Sequence, residues 1–259
     1  MAERSAGPVC SSQLGESWVD AGTLALQRTT APGISGTNVC SAPIVPDAET
    51  LYSGQIPYAI GQASVVRIPI PGTGGLAIEL KTRDPRWVDR STSRLFFQDA
   101  AGKRNLRLDY GYNKITKTID YHWNQSGTHS NFGITGHAPA GKGGGTAYQV
   151  AKYFRYAGRV LLVAGATVDA VSIVQADRRL RQASRVVSAW ALAWVGCKST
   201  GALGAWGGTA IGPWGTAGGG IGGCIVGGIG GYAAGAALGG AVYDWADGTL
   251  FTPLPQVEQ

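Results

Sequence analysis

Charge is scarce in this sequence. Only 15% of its 259 residues are charged, and from Val186 to Val242 a single charged side chain, Lys198, stands among 57 positions. A helix facing water carries polar residues on its outer side, so ordinary surface helices are excluded there, leaving burial or lipid. Metal-binding patterns are also missing. The four cysteines, Cys10, Cys40, Cys197 and Cys224, form no C-x-x-C pair and no metal-like spacing with histidine, which argues against a zinc site; neither a metal nor a cofactor is expected. They fall two per half, compatible with Cys10–Cys40 and Cys197–Cys224 bridges in an oxidising compartment or with four free thiols. The opening MAERSAGPVCSSQLGESW lacks the apolar core of a secretory signal, so export, if any, is expected to be signal-less. GHAPAGKG (136–143) falls one residue short of a phosphate-binding loop, because Gly143 stands where a hydroxyl would hold magnesium. PAGKGGG reads as a flexible linker.

What is present divides the chain. Residues 1–140 hold 13 basic and 11 acidic side chains, whereas 141–259 hold 9 and 5. Most of the excess lies in Lys152, Arg155, Arg159, Arg178, Arg179, Arg181 and Arg185, opposed locally by Asp169 and Asp177. Such a patch beside apolar sequence suits anionic lipid headgroups or nucleic acid, or is a solvated helix face.

Residues 1–57 are rich in Gly, Pro, Ser and Thr and predict loops and short strands. From Ala63 the apolar period becomes two in SVVRIPI, GLAIELK, SRLFFQD, RNLRLDY and KTIDYHW, a meander of about five strands. Leu106, Leu108 and Tyr110 alternate with Arg107 and Asp109, so one face is core and the other wet. The histidines, His122, His129 and His137, share one window, DYHWNQSGTHSNFGITGHAP, in which Asp120 and His122 lie on the polar face of one strand. A carboxylate beside an imidazole on one strand face is what acid–base chemistry requires, and a strand-end histidine bonded to its neighbour is the structural counterpart.

From Thr146 the pattern is helical. VLLVAGATVDAVSIVQA (160–176) carries one charge, borderline against the ~20 apolar residues a bilayer span needs; DRRLRQASR reads as a basic connector. The tract beyond it is long enough for two spans. Within it Trp190 and Trp194 suit a headgroup layer or a packed core. Glycine then falls at Gly219, Gly223, Gly227, Gly231, Gly235 and Gly239, every fourth position. In water each interior glycine costs a helix up to about 1 kcal/mol relative to alanine. In hydrocarbon an unpaired amide costs several kcal/mol, which makes the helix close to compulsory, and a glycine stripe lets another backbone approach. The competing readings are a tight α-hairpin inside a soluble protein, covered by the β half, and a glycine-rich disordered tail.

LRLDYGYNK with IDYHWNQSGTHSNFGITGHAPAGKGG, followed by AKYFRYAGRVLLVAGATVDAVSIV and a zipper tract ending in VYDWADGTLFTPLP, resembles the C-terminal regions of bacterial contact-dependent polymorphic toxins and type VI secretion effectors, over roughly residues 93–254. That resemblance implies export without a cleaved signal, delivery to a neighbouring cell's membrane, a cognate immunity protein, a secretion-system carrier or chaperone, and membrane insertion with depolarisation. It assigns no catalytic residue.

The expected fold is therefore α+β: an irregular segment (1–57), a β-rich domain (58–140) and a helical glycine-zipper region (141–259). The expected activity is membrane permeabilisation. Arg155, Arg159, Arg178, Arg179, Arg181 and Arg185 would meet lipid headgroups, the six glycines would pack helices or protomers of a homo-oligomer, and Asp169 and Lys198 would face a polar lumen. Two alternatives stand beside it. One is a nuclease or other hydrolase toxin using Asp109, Asp120, His122, His129 and His137, its helices serving translocation; the other is a non-catalytic membrane-anchoring module.

Overall fold

Two glycine-lined helices form the axis on which everything else rests. The structure, a computed structural model, describes residues 54–87 and 92–250; Cys10, Cys40 and most of the irregular segment lie outside them. The layout is α+β. After α1 (Gln55–Val65) come β1 (Ile68–Pro69), β2 (Ala77–Glu79), β3 (Phe96–Gln98), β4 (Asn105–Tyr112) and β5 (Ile119–Ser126). A single turn, α2 (His129–Phe132), leads to β6 (Ala138–Pro139), and three long helices follow: α3 (Gly144–Gln175), α4 (Arg179–Gly208) and α5 (Pro213–Leu250).

The six strands form one antiparallel meander in the order β1 to β6. Each of the five period-two segments contributes a strand, and the register places Leu108 opposite Trp123 and Asp109 opposite His122. Four local differences from the sequence reading stand out. The SVV of SVVRIPI closes or follows α1, whose Pro57 sits in the first turn, where its missing N–H costs nothing. Ala138 and Pro139, the latter the first residue of the expected linker PAGKGGG, pair with β5 as β6. GKGGG runs directly into α3. The basic connector is only three residues long (176–178), and from Arg179 onward it is helix.

α4 and α5 run antiparallel with their backbones in contact. Gly219 meets Gly204, Gly223 meets Thr200, Gly227 meets Gly196, Gly231 meets Leu192, Gly235 meets Ser188 and Gly239 meets Ser184. Each step of four along α5 is matched by a step of four back along α4, so all six ridge glycines share one seam. A Cβ at any of them would fall no more than 2.5 Å from an α4 backbone oxygen. Polar bonds cross the same seam: Thr200 Oγ1 lies 2.5 Å from the Gly223 carbonyl oxygen, and the Ser184 hydroxyl donates to that of Gly239 at 2.9 Å. A Cys197–Cys224 disulfide joins the helices, with Cα atoms 3.7 Å apart.

Toward its turn the hairpin is covered by the sheet. Ile68 and Ile78 rest where Gly201 and Gly220 leave no side chain, Phe97, Leu106, Leu108 and Trp123 complete this core, and Trp123 packs on Trp214 with ring centres 4.6 Å apart. Toward the open end the covering is helical. α1 crosses α3 through Gly61 against Gly158 and Leu162 and Gly54 against Gly165, and Tyr58 stacks on Trp190 at 5.5 Å.

Gly222 and Gly230 have nothing within 4 Å of an added Cβ, whereas Gly231 meets the Leu192 carbonyl. Gly222→Ala should therefore raise stability by about 0.5–1 kcal/mol through helix propensity alone, while Gly231→Ala should lower it by about 1–3 kcal/mol through overpacking. Thermal unfolding followed by circular dichroism distinguishes the two; equal responses would mean that the seam is not closed.

Candidate functional site

Two regions collect the residues singled out by sequence: a polar cluster on the sheet, and the outer surfaces of the long helices.

In the cluster, β4 and β5 bring Asp109 and His122 side by side. Arg107 Nε donates to Asp109 Oδ2 at 2.8 Å and Asn124 Nδ2 donates to the same oxygen at 2.7 Å. Asn124 Nδ2 also lies 3.2 Å from His122 Nε2, and His122 Nδ1 lies 3.1 Å from Asp120 Oδ1. The network assigns the proton to Nδ1, with Nε2 accepting. Asp120 Oδ2 in turn accepts from Thr116 at 2.8 Å and Asn113 at 3.2 Å. His122 is 2% exposed, so both its nitrogens are committed to protein groups and neither faces a substrate as a general base must. His137 packs its ring 5.2 Å from that of His122. His129 does not join them; its Nδ1 bonds the Ile134 carbonyl at 3.1 Å. Among the described residues no three His, Cys, Asp or Glu side chains are placed to hold a metal.

The helical residues are distributed differently. Asp169, expected beside a polar lumen, is 0% exposed: it accepts from the Gly54 amide at 3.0 Å, Trp190 Nε1 at 2.7 Å and Tyr232 Oη at 2.6 Å. One carboxylate thus ties α1, α3, α4 and α5 together. Lys198 is elsewhere, on the exposed side of α4, its ammonium 5.0 Å over the Trp194 ring. Burial is what separates them: a carboxylate inside a helix bundle needs protein donors, and Asp169 finds three. The basic residues also divide. Arg155 turns inward and donates to the Leu80 carbonyl at 2.7 Å, Arg181 pairs with Asp244 at 2.8 Å, and Arg159, Arg178 and Arg179 stay exposed, with Arg185 partly so.

No family model, curated protein or solved structure matches the chain. What its surfaces can do follows from their own chemistry.

Two helices, α3 and α5, are long and apolar enough to cross a membrane, and α3 is covered least. Val150, Tyr153, Ala157, Val160, Ala164, Thr167, Val171 and Val174 recur at alternating steps of three and four and are all exposed. No charge interrupts that stripe. At about 1.5 Å per residue it runs roughly 36 Å. On α5 the positions away from the seam, Val226, Ala234, Leu238 and Val242, are likewise exposed and apolar. Three groups escaped the sequence reading: Tyr232 and the Gly54 amide as partners of Asp169, and the α1–α3 crossing. The crossing had a signal, since Gly54 and Gly61 are seven apart, as are Gly158 and Gly165.

His137 also carries a pH signature. Burial, reinforced by nearby His122, Lys114 and Arg107, holds its imidazole below the usual range. The fold binds that proton more weakly than the unfolded chain does, so the stabilising contribution is complete above about pH 6.5 and is lost on acidification. Asp120 acts in the same sense at lower pH. Burial opposes its ionisation, but hydrogen bonds from Thr116, Asn113 and His122 outweigh that and hold the carboxyl below its usual range. His137 sits at φ 64°, a left-handed conformation that asparagine tolerates. His137→Asn should therefore preserve the fold and flatten the loss of stability between about pH 7 and pH 5, as read from melting temperatures across that range; an unchanged slope would remove His137 from the pH response.

Proposed function

We propose that the chain is a membrane-inserting protein that permeabilises bilayers, acting as an antibacterial effector delivered to a neighbouring cell's membrane and restrained in its producer by an immunity protein. The observation that carries the membrane reading is the uncharged, exposed stripe on α3, above all its stretch from Val160 to Val174. In water such a contiguous apolar face is a liability that marks a membrane or protein contact; in hydrocarbon it is the required surface. The effector assignment rests on the sequence resemblance.

Other features agree. Asp169 satisfies itself inside the bundle, as intramembrane carboxylates do. The Cys197–Cys224 bridge suits an oxidising compartment outside the cytosol. Gly218, Gly222 and Gly230 face open space on α5, room for the helix of a second protomer, and a conducting path would lie between such copies. The hydrolase reading is weaker because both nitrogens of His122 are engaged.

Full-length protein should release a trapped dye from vesicles of phosphatidylethanolamine and phosphatidylglycerol, and His122→Ala should leak them at the wild-type rate. Absence of release under every lipid composition tried would remove permeabilisation; release with the wild type and none with a folded His122→Ala protein would restore the cluster as the active element.

A further inference from the structure

The exposed basic residues of α3, α4 and the connector between them sit at two levels. On α3, exposed Arg159 and Arg178, the latter just past its end, are nineteen residues apart; on α4, exposed Arg179 and Lys198 are also nineteen apart. α3 and α4 are joined by only three residues (176–178) and run back past each other, with Asp169 bonded to Trp190 and Ser172 to Gln182. Arg159 and Lys198 thus lie toward the sheet, and Arg178 and Arg179 at the opposite end. α5 keeps the same levels. Its Cys224 is bonded to Cys197, the neighbour of Lys198, and its Asp244 pairs with Arg181 beside the far level. The nineteen α5 residues between Cys224 and Asp244 carry no charge. Nineteen helical residues rise about 28 Å, close to the ~30 Å of a bilayer's hydrocarbon.

Between the levels α4 carries Arg181, paired with Asp244, and a half-buried Arg185, two and six residues in from Arg179 and within reach of headgroups for a long side chain. Deeper between them the polar groups are met internally. The lone charge of α3 there is Asp169, bonded three times within the protein, one of its donors being the amide of Gly54 just before α1. Gln55 Nε2 likewise donates to the Ile229 carbonyl at 2.8 Å. At the levels themselves the side chains suit headgroups: Lys198 over Trp194, an amphipathic pair of the kind found at membrane interfaces, and guanidinium groups at the far end.

Resting on the membrane reading above, we infer that the helical bundle occupies a bilayer in the arrangement seen here, without unpacking. Its hydrocarbon slab is bounded by Arg159 and Lys198 on the sheet side and by Arg178 and Arg179 on the other, and the sheet stays outside in water. Anionic lipid is the partner that both basic levels fit.

A lysine scan along α3 tests this. Val150, Val163 and Val171 are all exposed, at 61%, 67% and 46%, so Lys there need not disturb folding, which unfolding curves would check. Val163 and Val171 fall between the levels and Val150 outside them. Co-sedimentation of the full chain with phosphatidylethanolamine–phosphatidylglycerol vesicles should weaken by about tenfold or more for Val163→Lys and for Val171→Lys, the cost of a lysine held inside the hydrocarbon after its side chain reaches toward the nearer level, and stay within about twofold for Val150→Lys. Equal losses at all three positions, or none at any, would overturn the slab while leaving membrane binding intact. A wild-type chain that never sediments with vesicles would overturn the membrane reading and the slab together. A change in the oligomeric state of the lipid-free Val163→Lys protein would instead identify the face as a contact between copies, and would also overturn it.

Discussion

Everything in this molecule depends on α4 and α5 touching backbone to backbone. With no side chains between them, the axes close until Cys197 and Cys224 have Cα atoms 3.7 Å apart and the Ser184 and Thr200 hydroxyls reach carbonyls of the opposite helix. Glycine is a poor helix former, at a cost of up to about 1 kcal/mol per interior residue. What offsets that cost is dispersion and polar contact along a seam of six matched steps. The consequence is a thin plate. Side chains that would fill a conventional interhelical core are absent, and those that remain project to the plate's two sides.

One side of the plate is finished by the rest of the chain, in two different ways. Near the turn the sheet supplies Ile68, Ile78 and Leu106, side chains large enough to fill the hollows left by Gly201 and Gly220. Near the open end a second close crossing, α1 on α3, arrives with aromatic rings and a carboxylate. Asp169 holds that end because it is the common acceptor for donors from three other helices. Removing it would leave a buried amide, an indole and a phenol without their acceptor, each costing about 1–3 kcal/mol.

Strand positions were legible because half-buried strands must alternate: SRLFFQD and RNLRLDY show the period directly. β6 was not, since a pairing of two residues has no period, and α1 was not, since YAIGQASVV lacks an apolar stripe and is held by glycine contacts with α3. The α5 ridge was readable. Its partner was equally present in the sequence, since Ser184, Ser188, Leu192, Gly196, Thr200, Gly204 and Gly208 repeat the same step of four, but mixing Ser, Thr and Leu with glycine hides the register until the two helices are laid side by side. The role of Asp169 was misjudged for a physical reason. An isolated charge in an apolar helix signals a polar partner, and sequence alone does not distinguish water in a lumen from an indole, a phenol and an amide inside a bundle.

The two faces of the sheet and the outer faces of the helices are composed for different media. The sheet face turned from the hairpin carries Glu79, Gln98, Asn105, Arg107, Asp109, His122 and Asn124, and their polar atoms are joined by hydrogen bonds and ion pairs. Six of these seven residues are buried, so this is not the wet face that the alternation predicts but a covered polar layer, tolerated because its charges are compensated in place. The outer stripe of α3 carries no compensation and no charge to compensate. A single globule in water gains nothing from that asymmetry, because its exposed valines lower solubility without adding to the core. The asymmetry becomes economical when the two regions meet different solvents, with the glycine seam letting a narrow bundle cross from one to the other.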